Sequence, residues 1–472
     1  MLPPSVSIPA ALAIFIVAVI VAFGRVGPRR AVIASLIGGT LFLPVFEFAY
    51  QVPVLSYKMT FVPGVVLAAS LLLDGSRWRN LRLGLFDAPA AILCLVPFAA
   101  SLSNGLGAYD GFHAALSETM LWGAPYLLGR AYLGEPGAPE QLAAALVKGA
   151  LLYVPLCAWE LRMSPQLHVQ VYGFGAGNWV DHVRQAGYRP KVFMNHGLML
   201  ALFMATATLI ALWMWRTGAR HRLWGAPLGW CCAVLAVTTL LTKSVGAILL
   251  LVAGCAILEL TRRLRTRVLL LVLLSLPAVY CSARIAGWSG QALVAIAEKK
   301  INPQRSQSLA YRIGNEDQLI AKALRRPWLG WGGWGRSAVL DEEGKSISVT
   351  DGLWIISLGT TGAVGLVALV LFLVLPQAVL LRRFPARHWA NPRLAAPVAL
   401  AVSCLLFAVD SLFNAMPTPL YPAACGGLAT FTTAPALERW RRLLALRARR
   451  DAVQVVSGPR PAAAQGPRGA FR

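Results

Sequence analysis

"IPAALAIFIVAVIVAFG", residues 8–24, contains no charged side chain. About 20 consecutive apolar residues in helical form cross the hydrocarbon core of a bilayer, and this run is nearly that long. Similar runs begin near Ala31, Thr60, Ala88, Ala114, Leu142, Val192, Leu228, Val245, Val268, Gly352, Ala395 and Pro417. Together they predict an all-α polytopic membrane protein with about thirteen transmembrane helices, within a range of roughly 12–14. Composition agrees: 57% of the 472 residues are hydrophobic, 14% are charged, and the mean hydropathy is +0.61. A water-soluble chain of this length needs more charge to cover its surface.

Charge sets the orientation. No basic residue precedes the first run, whereas Arg25, Arg29 and Arg30 follow it. Cytoplasmic loops carry the excess of Lys and Arg, so the N-terminus is expected outside, without a cleaved signal peptide. Threading onward puts Arg77, Arg79 and Arg82 on the cytoplasmic side, and Arg216, Arg220 and Arg222 with them. Arg262, Arg263, Arg265 and Arg267 follow, then Arg382, Arg383, Arg387 and Arg393. The expected organisation is a transmembrane domain over 1–434, including an external segment at 163–191 and a large periplasmic loop at 288–351. A basic amphipathic cytoplasmic helix at 435–456 and a disordered tail at 457–472 complete it.

The net charge of +24 borders hydrophobic segments, which points to orientation in a membrane and not to nucleic acid. The sequence shows no P-loop, dinucleotide fingerprint or H-E-x-x-H, so neither a cofactor nor a metal is expected. The eight cysteines lie in or beside apolar runs without paired C-x-x-C spacing and read as packing residues.

Two external stretches depart from the charge rule. Segment 163–191 with its flanks holds Arg162, Arg184, Arg189 and Lys191 against Glu160 and Asp181. Anion binding is one explanation, and an interfacial snorkelling arginine is the other. Pro190 favours an extended Arg189 and can open the next helix, whose N-terminal amides attract anions. His196, about a turn inside that helix, is either a packing residue or part of the site.

The second stretch, "SLAYRIGNEDQLIAKALRRPWLGWGGWG", spans residues 308–335. Ser306 or Ser308 can cap a helix running to Arg326, with Leu309, Ile313, Ile320 and Leu324 as its apolar stripe. Arg312 flanks the stripe, four residues before Glu316, and the two can pair along the helix. Trp328, Trp331 and Trp334 suit either an interfacial belt or stacking on a sugar. Gly330, Gly332, Gly333 and Gly335 permit tight turns and close backbone approach to a ligand. Asp351 then stands at the outer start of a membrane helix, as a cap or as a general base. Within the membrane, Arg130 in "LLGRAYL" and Asp410 in "FAVDSLFNA" are costly enough to be site candidates.

The order "YRP", "TKSVGA", an arginine-bearing loop helix, "RPWLGWGGWG" and "TDGLWIISLGTTGAVG" resembles the O-antigen ligase and O-antigen or exopolysaccharide polymerase superfamily, GT-C-like membrane glycosyltransferases. The resemblance covers about the middle and C-terminal two-thirds of the chain. It implies a bacterial inner-membrane enzyme whose active site faces the periplasm and whose donor is a glycan linked to undecaprenyl diphosphate. Arginines hold the diphosphate in that family, and Arg189 and Arg312 match them by context. Arg130, Arg184, Lys191, His196, Trp328, Gly330, Trp331, Gly332 and Asp410 become candidate substrate-binding residues. The implied partners are the lipid-linked oligosaccharide, membrane lipid and other polysaccharide-assembly proteins, with no nucleic acid. Where ligases and many polymerases carry a histidine, this chain reads "VTDG", which favours a polymerase and makes Asp351 the candidate base. A ligase acting on lipid A core is the alternative, and a polysaccharide or lipid-linked sugar transporter is a further one.

The orientation has a direct test. Cysteine at Ser346 should react with a membrane-impermeant thiol reagent in intact spheroplasts, and cysteine at Ser457 should not. The opposite labelling would invert the assigned sides.

Overall fold

The computed structural model describes residues 4–46, 57–175, 183–184, 187–300 and 303–433, together with 435, 437–442 and 444–445. In chain order the helices begin with α1 (Pro4–Val26), α2 (Pro28–Phe42), α3 (Lys58–Leu73), α4 (Gly75–Arg79), α5 (Ala88–Ser103) and α6 (Ala108–Glu118). A π-helical turn at Thr119–Gly123 joins α6 to α7 (Ala124–Tyr132), and α8 (Ala138–Met163), α9 (Leu167–Tyr172) and α10 (Gly197–Arg216) follow. Next come α11 (Leu228–Leu241), α12 (Val245–Leu264), α13 (Val268–Ile285), α14 (Gln291–Lys300) and α15 (Pro303–Ala323). The last are α16 (Leu353–Arg383), α17 (Ala395–Asp410) and α18 (Leu420–Ala429). Two small antiparallel hairpins pair Val183–Arg184 with Gly187–Tyr188 and Arg222–Leu223 with Ala226–Pro227.

Among the described residues, seven helices are long and apolar enough to cross a membrane; they are built on α1, α5, α8, α10, α12, α13 and α16. Three shorter apolar helices are α3, α11 and α17. The chain is therefore an all-α multi-pass membrane protein. Alanine, leucine and valine dominate the interior, and α10 and α17 are its most enclosed helices.

Contacts sort the connections onto two ends of the bundle. At one end, Lys58 Nζ donates to the Phe193 carbonyl and Asn104 Nδ2 to that of Gly330. The Leu353 amide likewise donates to the Ser411 carbonyl. At the other end, Arg29 and Arg77 pair with Glu135, Arg130 with Asp87, and Arg216 with Glu259. The basic helix expected at 435–456 is described only through residue 445. There Leu437 and Trp440 turn inward, Trp440 against Phe431, while Arg441 and Arg442 face outward. The tail 457–472 lies outside the described residues.

Of the glycines of "RPWLGWGGWG", Gly330 lies against α16. That helix is broken at Gly362, whose φ of 67° and ψ of −162° are not helical. A Cβ on Gly365 would sit 3.4 Å from Ser357 Oγ, whereas eight residues of straight helix span about 12 Å. The first segment thus folds back on the second. The break frees backbone groups, and the loop takes them up. Trp331 N–H donates to Gly359 O (2.8 Å) and Gly332 N–H to Thr360 O (2.9 Å). In return, Ala363 N–H donates to Pro327 O (2.7 Å) and Val364 N–H to Trp328 O (3.2 Å). The two strands of backbone touch, since a Cβ on Gly330 would lie 2.6 Å from Thr360 C, and one on Gly362 would lie 2.4 Å from Trp328 C and O. Only glycine fits either place.

Gly362→Ala should therefore destabilise the protein by about 1–3 kcal/mol from its positive φ alone, before the clash is counted. Gly333→Ala meets nothing within 4 Å and should melt like the parent in detergent. Equal melting of the Gly362→Ala variant and the parent would refute the backbone contact.

Candidate functional site

The site end is organised by a buried ion pair that the sequence did not announce. Arg284, at the end of α13, places Nε 3.0 Å from Glu316 Oε2 on α15, and its Nη2 lies 2.9 Å from Asp317 Oδ1. Tyr280 OH donates to the same Glu316 oxygen at 2.8 Å, and Arg284 Nη2 also donates to the Ile313 carbonyl at 3.0 Å. Trp354, at the start of α16, packs edge-on against Tyr280. Ile313, Leu319, Ile320 and Ala323 bury the rest of the contact. The stripe on α15 is thus shifted from the expected one, since Leu324 is exposed, and the helix ends at Ala323 rather than Arg326.

Glu316 is spent on Arg284, so the Arg312–Glu316 pair expected from their spacing does not form. Arg312 points instead to Asp351, with Nε 3.4 Å from Oδ2. Its Nη1 donates to the Phe413 carbonyl at 3.1 Å and lies 3.4 Å from Asn414 Oδ1. Asn414 Nδ2 in turn donates to Asp410 Oδ1 at 2.9 Å. The structure therefore brings Arg312, Asp351 and Asp410 together through Asn414, a residue the sequence reading missed. Its position four after Asp410 on one helical turn was the available signal.

Asp351 does not cap α16. The N-cap is Gly352, with no side-chain cap bond, and the following Leu353 amide is taken by Ser411 O. A Cβ on Gly352 would come within 2.4 Å of the Leu412 carbonyl, so the backbone of 351–353 lies on the end of α17 and leaves the Asp351 carboxylate to Arg312. With side chains 27% and 33% exposed, Arg312 and Asp351 form a pair that is open to solvent.

The remaining candidates fall elsewhere. Arg130 is buried at the opposite end, paired with Asp87 at 2.8 Å and bonded to the Arg82 carbonyl, and so stands apart from the Arg312 group. Arg189 is buried, packs its Cδ against Gly197 and donates from Nη2 to the Lys243 carbonyl at 3.2 Å. The helix it was expected to open begins at Gly197, because 189–196 runs as an extended and turning segment in which Val192 has a φ of 55°. His196 is not inside that helix; it is the N-cap, its Nδ1 accepting from the Leu198 amide at 3.0 Å. Lys191 is buried, and its amide and that of Val192 both donate to Glu160 Oε2 at 2.7 Å. Arg184 is paired with Gly187 across two short antiparallel strands; Asp181 lies outside the described residues.

Trp331 faces its own chain. Its Nε1 donates to the Lys322 carbonyl, and the Arg326 guanidinium and Lys322 ammonium stand 4.9 and 5.4 Å from its ring centre. Gly332 backs onto Leu106, and Gly330 onto α16. Trp328 is exposed and lines an apolar groove of about 630 Å³ with Ile92 and Val367.

The segment between α8 and α10 has one further fixed group. His168 Nε2 accepts from the Val45 amide at 2.9 Å, so Nδ1 carries the proton that goes to the Phe174 carbonyl at 2.8 Å. Burial pushes its pKa down from 6.5 to about 4. No protein-family model matches the chain, and no curated protein matches its sequence.

A histidine held neutral in the fold binds its proton more readily when unfolded. Its contribution is complete above about pH 6.5 and is lost as the pH falls toward 4, at most ~3 kcal/mol in all. His168→Gln should flatten that part of the melting-temperature profile, and an unchanged slope would show that another group carries it.

Proposed function

We propose that the chain is a membrane glycosyltransferase of bacterial surface-polysaccharide assembly, a polymerase that transfers glycan from undecaprenyl diphosphate to an acceptor sugar on the periplasmic face. The observation that carries this reading is the accessible Arg312–Asp351 pair, set on a loop helix pinned by Arg284 and Glu316. Thirteen crossings accompany it: α1, α2, α3, α5, α6 with α7, α8, α10, α11, α12, α13, the second segment of α16, α17 and α18. The GT-C-like architecture and the inner-membrane location belong to the same proposal.

The chemistry follows from the weakness of the pair. A single contact at 3.4 Å between partly exposed groups is worth ~0–1 kcal/mol. A diphosphate can take the guanidinium bidentately and displace the carboxylate. Asp351 is then free to accept the proton of the acceptor hydroxyl as its oxygen bonds to the anomeric carbon. The bond from that carbon to the phosphate oxygen breaks, and the diphosphate leaves with the electron pair under the charge of Arg312. Asn414 and the Phe413 carbonyl hold Arg312 in place meanwhile. Arg189 is assigned a positioning role, fixing the 242–244 turn and the start of α10.

The transporter alternative draws less support. Discontinuous helices serve transporters by offering free backbone groups to substrate or ion, whereas four such groups at the α16 break already bond the 327–332 loop.

Purified protein given undecaprenyl-diphosphate-linked oligosaccharide should build a ladder of longer lipid-linked chains without lipid A. Arg312→Ala and Asp351→Asn should each slow extension by about 10²–10³-fold, and Arg312→Lys should restore part of it. Asp351→Asn should melt within about 1 kcal/mol of the parent, because its single contact is partly open to solvent and it caps nothing. Normal ladders from both Arg312→Ala and Asp351→Asn would refute the site. A strict requirement for lipid A, with one transfer per acceptor, would make the protein a ligase.

A further inference from the structure

At the end of the bundle away from Arg312, a cavity of about 310 Å³ opens between α10 and α12. Leu209, Leu212, Cys255 and Leu258 form its apolar wall, and the half-exposed indole of Trp215 stands at its rim. Arg216, Glu259 and Arg263 complete the lining.

The charges at that rim do not balance. Arg262 holds Glu259 through two contacts, Nε to Oε2 at 2.9 Å and Nη2 to Oε1 at 2.5 Å. That bidentate pair neutralises the carboxylate. Arg263 reaches the same Oε1 at 2.7 Å and Arg216 at 3.6 Å, with side chains 66% and 49% exposed. Three guanidinium groups on one carboxylate leave two positive charges beside an apolar hollow. His221 and Arg222, exposed on the turn between α10 and α11, lie at the same end.

We infer that this cavity binds one anionic diacyl phospholipid, with its phosphate at Arg216 and Arg263 and an acyl chain against Leu212 and Leu258. The charge excess selects the anion, and the apolar wall selects a lipid over a free phosphate. Cations beside a membrane-facing cleft attract acidic headgroups, and a tryptophan at the rim suits the headgroup level. The inference does not depend on the proposed transferase activity.

Native mass spectrometry of the full-length protein in mild detergent tests it, with dioleoyl phosphatidylglycerol against dioleoyl phosphatidylcholine. One phosphatidylglycerol should remain bound where phosphatidylcholine is lost. The double variant Arg216→Gln, Arg263→Gln should lower phosphatidylglycerol affinity by about thirty-fold and leave phosphatidylcholine binding unchanged. Leu212→Trp fills the hollow without touching the charges and should also reduce phosphatidylglycerol binding. Equal retention of the two lipids by the parent protein would overturn the site. So would full phosphatidylglycerol affinity in either variant, or competition by inorganic phosphate at concentrations matching the lipid.

Discussion

Four backbone hydrogen bonds between the 327–332 loop and the break in α16 are the constraint on which the site end depends. Away from water, an unmade backbone bond costs several kcal/mol. A helix folded back at Gly362 exposes such groups, so it needs a second strand of backbone lying against it. That strand must come close enough to bond, and side chains on Gly330 or Gly362 would forbid the approach. The break, the loop and their glycines are one solution to one problem. Through it the first segment of α16 is aimed back toward α13 and α15, where Trp354 meets Tyr280.

The charged residues divide by what they are asked to do. Arg130 with Asp87 and Arg284 with Glu316 are enclosed pairs with additional hydrogen bonds, and removing one partner would strand a buried charge. Glu160 is enclosed too, but it serves amide donors. Arg312 and Asp351 differ in kind, because their contact is long, single and open. A fold has little to gain from such a pair, which is why the proposed transfer is placed there.

Membrane class was legible from apolar runs such as residues 8–24, since hydrocarbon tolerates little else. The cluster around Arg312 was legible in part. Asp410 could be named because charge within a membrane is costly, Arg312 from the flank of an apolar stripe and Asp351 from the start of a helix, but their grouping depends on a fold-back at Gly362 that no periodicity encodes. The spacing of Arg312 and Glu316 suggested a local pair, and tertiary packing gave Glu316 to Arg284 instead. Close approach was readable from "GWGGWG", though not what approached. Arg130 misled because a membrane arginine reads alike whether it faces a ligand or Asp87. His168 and Lys58 gave no signal, for their partners are backbone carbonyls and amides distant in sequence.

The order of synthesis gives the loop–helix contact a further meaning. Residues 327–332 leave the ribosome before residues 359–364, and fewer than about thirty positions separate Trp331 from Gly359. Closing so short a loop costs little entropy. The strand that bonds the broken helix is already made when that helix enters the insertion machinery. The broken segment thus meets its backbone partner without waiting for later helices. Lengthening the stretch between them would be felt first in biogenesis, before any change in the finished protein.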